Sequence, residues 1–167
     1  KTSNESTNNM KKLIFTILYL LLTIILFAQS NLGFQQKVDY KIEVTLDDEA
    51  HTLEGEIVIE YQNNAPTNLS EIWMHLWPNA YKNINTAFSK QQLRLGDTEF
   101  YFAPLEDFGY LDKLGFKING QNAQWELDEK NPDIAKITLS EPLKSGEKLT
   151  IQTPFLLKIP ASFSRLG

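Results

Sequence analysis

Tyr40-Lys41-Ile42-Glu43-Val44-Thr45-Leu46-Asp47 changes character at every residue. An extended strand points successive side chains to opposite faces. Tyr40, Ile42, Val44 and Leu46 therefore share a dry face, and Lys41, Glu43, Thr45 and Asp47 a wet one. Wound as a helix, the same apolar residues would surround the axis and leave no single stripe to bury. Asp47-Asp48-Glu49 brings turn chemistry. A second run then sets Leu53, Gly55, Ile57, Ile59 and Tyr61 against Glu54, Glu56, Glu60 and Gln62. The two runs predict an antiparallel hairpin with one covered face and one solvated face.

Downstream, Asn63-Asn64-Ala65-Pro66 breaks the second strand, and Leu69 to Trp77 forms a third apolar run that ends at Pro78. Residues 79–110 have a weak pattern, as an elaborated loop does. Within it, Thr86 to Leu95 reads as a short helix and Glu99 to Phe102 as a brief strand. Phe116-Lys117-Ile118, Asn119-Gly120 and Ala123 to Leu127 read as a hairpin, because Asn-Gly tolerates positive φ at both positions. Ile134 to Leu139 gives another strand, Pro142 and Gly146 bracket a turn, and Lys148 to Phe155 alternates again. Seven or eight short strands separated by turns predict an all-β antiparallel sandwich.

Upstream of residue 36 the character changes. Lys11 and Lys12 follow Met10, an uncharged apolar run spans Leu13 to Phe27, and Ala28-Gln29-Ser30 returns to polar residues. A basic start, an apolar stretch and a small residue form the layout of a secretory leader. The run is short for a spanning helix, which needs about 20 apolar residues. The expected organisation is an upstream extension at 1–9, a signal peptide or anchor helix at 10–28, and a β-sandwich at 36–167. Export to the periplasm or cell envelope follows, with membrane attachment only through an uncleaved leader. The leader also masks acidity: residues 1–28 contain Lys1, Lys11 and Lys12 but only Glu5, so the net charge falls from −5 to −7 without them. No Lys/Arg cluster offers a nucleic-acid footprint. The absence of cysteine excludes disulfides, thiolate metal sites and a cysteine nucleophile.

Little in the chain carries chemistry. His51 and His75 are the only histidines, and no His-Glu-x-x-His is present. Glu71 and His75 lie four apart, which on a strand separates them by about 13 Å. Ser162 and Ser164 have no nearby base, and no Gly-x-Ser-x-Gly elbow occurs. Asp47-Asp48-Glu49 lacks the spacing of a calcium loop and reads as a solvated turn. Glu106 and Asp107 are one acidic pair among many. We therefore assign no catalytic and no metal-binding residue, and the substrate-binding residues are unknown. Trp73 and Trp77 are expected to share a strand face with His75, while Phe100-Tyr101-Phe102, Phe108 and Tyr110 gather in the irregular stretch. Burial is the expected fate of these rings. Stacking on sugars, as in a carbohydrate-binding or adhesion module, is the alternative.

The ordered segments resemble one family. "VDYKIEVTLDDEAHTLEGEIVIEYQNNAP" (38–66) is similar to the opening of M1-family zinc peptidases, aminopeptidase N among them. "LSEIWMHLWPNAY" (69–81) resembles the next strand of that family. "FKINGQ" (116–121) and "ITLSEPLKSGEKLTIQTPFLLKIP" (137–160) are similar to its hairpin and its long strand. "SFSRLG" (162–167) resembles exported bacterial members. The resemblance covers residues 36–167 and implies the incomplete amino-terminal β domain of an aminopeptidase, inactive alone. It implies zinc in a thermolysin-like catalytic domain that would be its partner, with peptides as substrates. The family's Gly-x-Met-Glu-Asn and His-Glu-x-x-His motifs are not in this sequence, so no catalytic residue is carried over.

Overall fold

The computed structural model describes residues 33–163 together with Thr16. The chain divides into two units, Lys1–Phe34 and Gln35–Gly167, and the second carries the fold. The leader and the extension before it lie outside the described residues, Thr16 apart. Among the described residues no helix is long and apolar enough to cross a membrane.

Alternation becomes a sheet at its first opportunity. β1 (Lys37–Asp47) and β2 (Thr52–Gln62) pair antiparallel in an unbroken register from Lys37↔Gln62 to Asp47↔Thr52. At the hairpin tip, Asp47 Oδ1 accepts the N–H groups of Glu49 and Ala50, and His51 takes positive φ. β2 then pairs along its whole length with β9 (Lys148–Lys158). The other edge of β9 is shared between β4 (Tyr110–Asp112) and β5 (Lys117–Ile118), and β5 pairs with β6 (Gln121–Asn122). Pro154 falls opposite the gap between β4 and β5, where a central strand can lack an N–H without losing a ladder bond.

The second sheet is smaller, in the order β3 (Leu69–His75), β8 (Ile134–Leu143), β7 (Gln124–Leu127), all antiparallel. The core lies between the sheets. Ile59, Phe116, Leu149 and Ile151 come from the first side, and Ile72, Ala135, Ile137, Leu139 and Leu143 from the second. A mostly β architecture of antiparallel sheets forms, as period two predicts, with a short α-helix and several 3-10 turns beside it.

Three local readings need correction. Three strands cannot cover a sheet whose leading hairpin is eleven residues long. The β1 half of the inner face is accordingly uncovered: Tyr40, Ile42, Val44 and Leu46 are 64%, 53%, 51% and 59% exposed. They do lie on the inward side, opposite Ile59, Ile57, Gly55 and Leu53. Glu99 to Phe102 is no strand; Phe100–Phe102 forms a 3-10 turn that drives Phe100 into a second apolar cluster and leaves Phe102 outside. β3 ends at His75, and Trp77–Tyr81 turns as a 3-10 helix with proline in its first turn, which suits the fixed φ of Pro78.

The irregular stretch is organised around Phe100. The rings of Phe88, Phe108 and Phe163 stand 5.0 to 5.2 Å from it, and Tyr81 at 6.1 Å. α1 (Ala87–Arg94) supplies Phe88, in agreement with the predicted helix. Its cap is Thr86, buried, which accepts from the Ser89 N–H at 3.2 Å and donates to the Ala80 carbonyl at 2.7 Å.

The Asn119-Gly120 hairpin is present with a two-residue loop between β5 and β6, both residues at positive φ (49° and 83°). This is the twist-matched form of a tight hairpin. The chain then leaves for the other sheet, so the predicted run from Ala123 to Leu127 becomes β7. We expect Gly120→Ala to cost about 1 kcal/mol, since an L side chain there is held in the left-handed region. A urea unfolding midpoint unchanged from the parent protein would contradict this.

Candidate functional site

The outer face of the smaller sheet carries the side chains best suited to touch a ligand. Alternation along β3 sends Ile72 and Met74 to the core and leaves Glu71, Trp73 and His75 outside. Trp73 faces Lys136 on β8, which in turn faces Glu126 on β7. The three form a ladder across the sheet. Lys136 Nζ stands 5.9 Å above the Trp73 ring and is ion-paired to Glu126, whose hydrogen bond and charge raise the lysine's pKa. Trp73 Nε1 donates to Glu71 at 2.9 Å, which fixes the indole plane.

A cleft of about 370 Å³ opens beside Trp73, lined also by Glu126, Leu127, Asp128, Lys130 and Lys136. Asp128 is one of its walls. Its Oδ1 accepts from the N–H groups of Asn131 (2.7 Å) and Lys130 (3.0 Å), and these bonds lower its pKa. The carboxylate is committed to its own turn.

His75 continues the face. Its Nε2 lies 3.0 Å from Asp133 Oδ2, and its ring meets Trp77 with centroids 3.8 Å apart at 64°. Asp133 is buried, and its Oδ1 has no hydrogen-bond partner among the described residues. The expected fate of both tryptophans is overturned: Trp73 is 54% and Trp77 70% exposed. They also do not share one strand, because β3 has ended before Trp77. The face offers ring planes, an ammonium and carboxylates, which suits stacking and polar contact. No nucleophile is paired with a base on it.

The remaining residues singled out in the sequence are scattered. His51 sits at the β1–β2 tip, where its carbonyl accepts from the Ile159 N–H at 2.9 Å. Glu106 and Asp107 lie in a 3-10 turn (Leu105–Asp107), and the Asp107 carbonyl accepts from Ala161 N–H. Ser162 is exposed, and Ser164 lies outside the described residues. Zinc does not fit this donor set. The imidazole of His75 is engaged by Asp133, and no group of three or more His, Asp or Glu among the described residues is placed to hold a metal ion.

Comparison with known proteins gives one kind of match. No family model and no curated protein matches the chain. Among solved structures it is similar to M1 zinc metallopeptidases. A two-domain M1 zinc metallopeptidase mutant bound to L-arginine matches at 15% identity with a TM-score of 0.46, over 77% of this chain and 22% of the other. An M1 zinc metallopeptidase mutant from Deinococcus radiodurans matches at 16% identity and 0.46, over 76% of this chain and 21% of the other. This chain spans about a fifth of the length of those proteins.

Two residues that hold the structure together near this face escaped the sequence reading. Asn79 is buried; its Nδ2 donates to the Pro132 carbonyl at 2.9 Å and its Oδ1 accepts from the Leu111 N–H at 2.8 Å. Asp133, beneath His75, is the other. Both sit next to prolines in stretches that read as turn, and nothing in their sequence context marks them as buried.

Proposed function

We propose that this chain is the amino-terminal, non-catalytic β body of an exported M1-type zinc metallopeptidase, an enzyme that removes residues from peptide amino termini. The observation that carries the reading is the bare inner face of β1. A row of four apolar side chains on the core side of a sheet, each more than half exposed, calls for another layer of protein. The family-like segments add to it, because each falls on a distinct element in family order: 38–66 on the β1–β2 hairpin, 69–81 on β3 and its turn, 116–121 on the β5–β6 hairpin, and 137–160 on β8 and β9. Zinc and peptide hydrolysis belong, in this reading, to a thermolysin-like partner domain, and the chain alone turns over nothing. Reading the coding DNA beyond the Gly167 codon tests the proposal. A continuing frame that reaches His-Glu-x-x-His supports it, and a stop codon there ends it.

A second reading is favoured by one specific observation, the exposure of Trp73 and Trp77. Ring planes beside a polar cleft suit an exported carbohydrate-binding or adhesion module. Quenching of tryptophan fluorescence by oligosaccharides, lost in Trp73→Ala, would support it over the first.

A further inference from the structure

β1 is an edge strand of unusual kind. It is eleven residues long, pairs with β2 without a bulge, and contains neither proline nor glycine. Natural edges are commonly shortened, bulged, or defended by lysine. β1 has lysines at 37 and 41, so its defence depends on what those lysines would meet.

We infer that β1 pairs antiparallel with β1 of a second copy of this chain, about a two-fold axis through Ile42. In that register Lys37 stands opposite Asp47 of the other copy, and Lys41 opposite Glu43. Asp39 meets Thr45, Val38 meets Leu46, Tyr40 meets Val44, and Ile42 meets itself. By symmetry each unlike pair occurs twice, giving four opposite-charge pairs and no like-charge pair. Pairs of this sort across an antiparallel ladder are stabilising, and like charges directly opposite are destabilising.

The register is selective. A slip of two residues one way sets Lys41 against Lys41 and Asp39 against Glu43. The same slip the other way sets Glu43 against Glu43 and Asp39 against Asp47. Slips of four recover unlike charges but leave four residues of each strand unpaired. Odd slips place the apolar row opposite the charged row, against the pleat. Within a single copy the same charges pair along the strand, Lys41 with Glu43 at 2.8 Å and Lys37 with Asp39 at 3.3 Å. Dimerisation redistributes contacts between exposed groups and does not bury a lone charge. A two-fold contact closes on itself and uses up the long edge. The other end of the sheet, β6, is two residues long. This contact uses the strand's edge, whereas the proposed function concerns its face, so neither depends on the other.

The chain has no native cysteine, so single replacements in the full chain read the register directly. Ile42→Cys should form an intermolecular disulfide. Val38→Cys and Leu46→Cys should each fail alone, because identical positions four residues from the axis lie about 27 Å apart, yet cross-link when mixed. Sedimentation should show Lys41→Glu weakening dimerisation roughly tenfold, and Lys41→Glu with Glu43→Lys restoring it. Both residues are exposed on the outer face, so folding is not at issue. A monomer at about 100 µM, cross-linking of Val38→Cys with itself, or a double swap that restores nothing would overturn the inference.

Discussion

Asn63→Ala should lower the unfolding free energy by about 3 kcal/mol, as a shift of the urea midpoint with an unchanged slope. Asn63 is wholly buried where β2 ends, in a position that reads from sequence as a polar strand breaker. Its Nδ2 donates to the Thr67 carbonyl at 2.9 Å and the Leu143 carbonyl at 3.0 Å, and its Oδ1 accepts from the Ala65 N–H at 3.0 Å and from Gln36 at 3.3 Å. The side chain thus ties the end of β2, in one sheet, to the end of β8, in the other. Its backbone adds to the tie: Asn63 N–H donates to Glu147, and its carbonyl accepts from Gly146 N–H at 2.7 Å. Alanine keeps the backbone bonds but strands the Leu143 carbonyl and the Ala65 N–H out of water, while the carbonyl of exposed Thr67 can turn to solvent. Each buried orphan costs about 1–3 kcal/mol, although Gln36 lies near the surface and can turn to solvent. Asn63→Asp separates donor from acceptor, since it retains the bond from Ala65 and loses both bonds from Nδ2. It should be at least as damaging, because a carboxylate would face two carbonyl oxygens. An alanine variant within about 0.5 kcal/mol of the parent would mean that the two sheets are held together here by packing alone.

How much of this was legible in the sequence depends on what period two reports. It reports facing, and facing was read correctly: Tyr40, Ile42, Val44 and Leu46 lie on the inward side, and the pairing of β1, β2 and β9 follows from it. It says nothing of whether an opposing layer extends that far. That depends on the width of a different sheet, whose strands are distant in sequence. An incompletely covered inner face is expected from sequence, but that the bare row falls on β1 is not. Phe100-Tyr101-Phe102 fails for a related reason. Three aromatic residues favour a strand by local preference, yet one ring of the three is claimed by Tyr81, Phe88, Phe108 and Phe163 from four other segments. Tertiary packing overrides propensity there. At the aromatic face the sequence named Trp73, His75 and Trp77 but misjudged their burial. Pro78 was read as the stop of a strand, whereas it begins a 3-10 turn that carries Trp77 off the strand. Asp133 gave no signal, because its partner His75 is 58 positions away.

Gly55→Ala sets two effects against each other, and their sizes decide the sign. Gly55 lies inside β2 with no left-handed φ, so propensity alone predicts that alanine would stabilise by about 0.5–1 kcal/mol. The neighbouring backbone overrules this. A Cβ at Gly55 would stand 2.1 Å from the Glu43 carbonyl oxygen and 3.0 Å from the Cα of Val44, its partner across the ladder. Both atoms are main chain and cannot rotate away, so the strands must separate or shear. Overpacking of this kind costs about 1–3 kcal/mol, and against main chain the upper end applies, giving a net loss of about 2 kcal/mol. The damage should be uneven. Among the described residues of one copy, β1 has a partner on one side only, whereas β2 is held along its length by β9. Amide exchange should therefore accelerate along Lys37–Asp47 while the β2–β9 ladder keeps its protection. Gly115→Ala is the matched control, since the nearest atom to its Cβ would be 4.0 Å away, an ordinary contact. If Gly55→Ala stabilised the protein, or if β9 lost protection together with β1, the close approach of the two strands would not be what requires glycine there. The reason for the expected outcome is geometric: at this rung the backbones are so near that the ladder leaves no room for a methyl group.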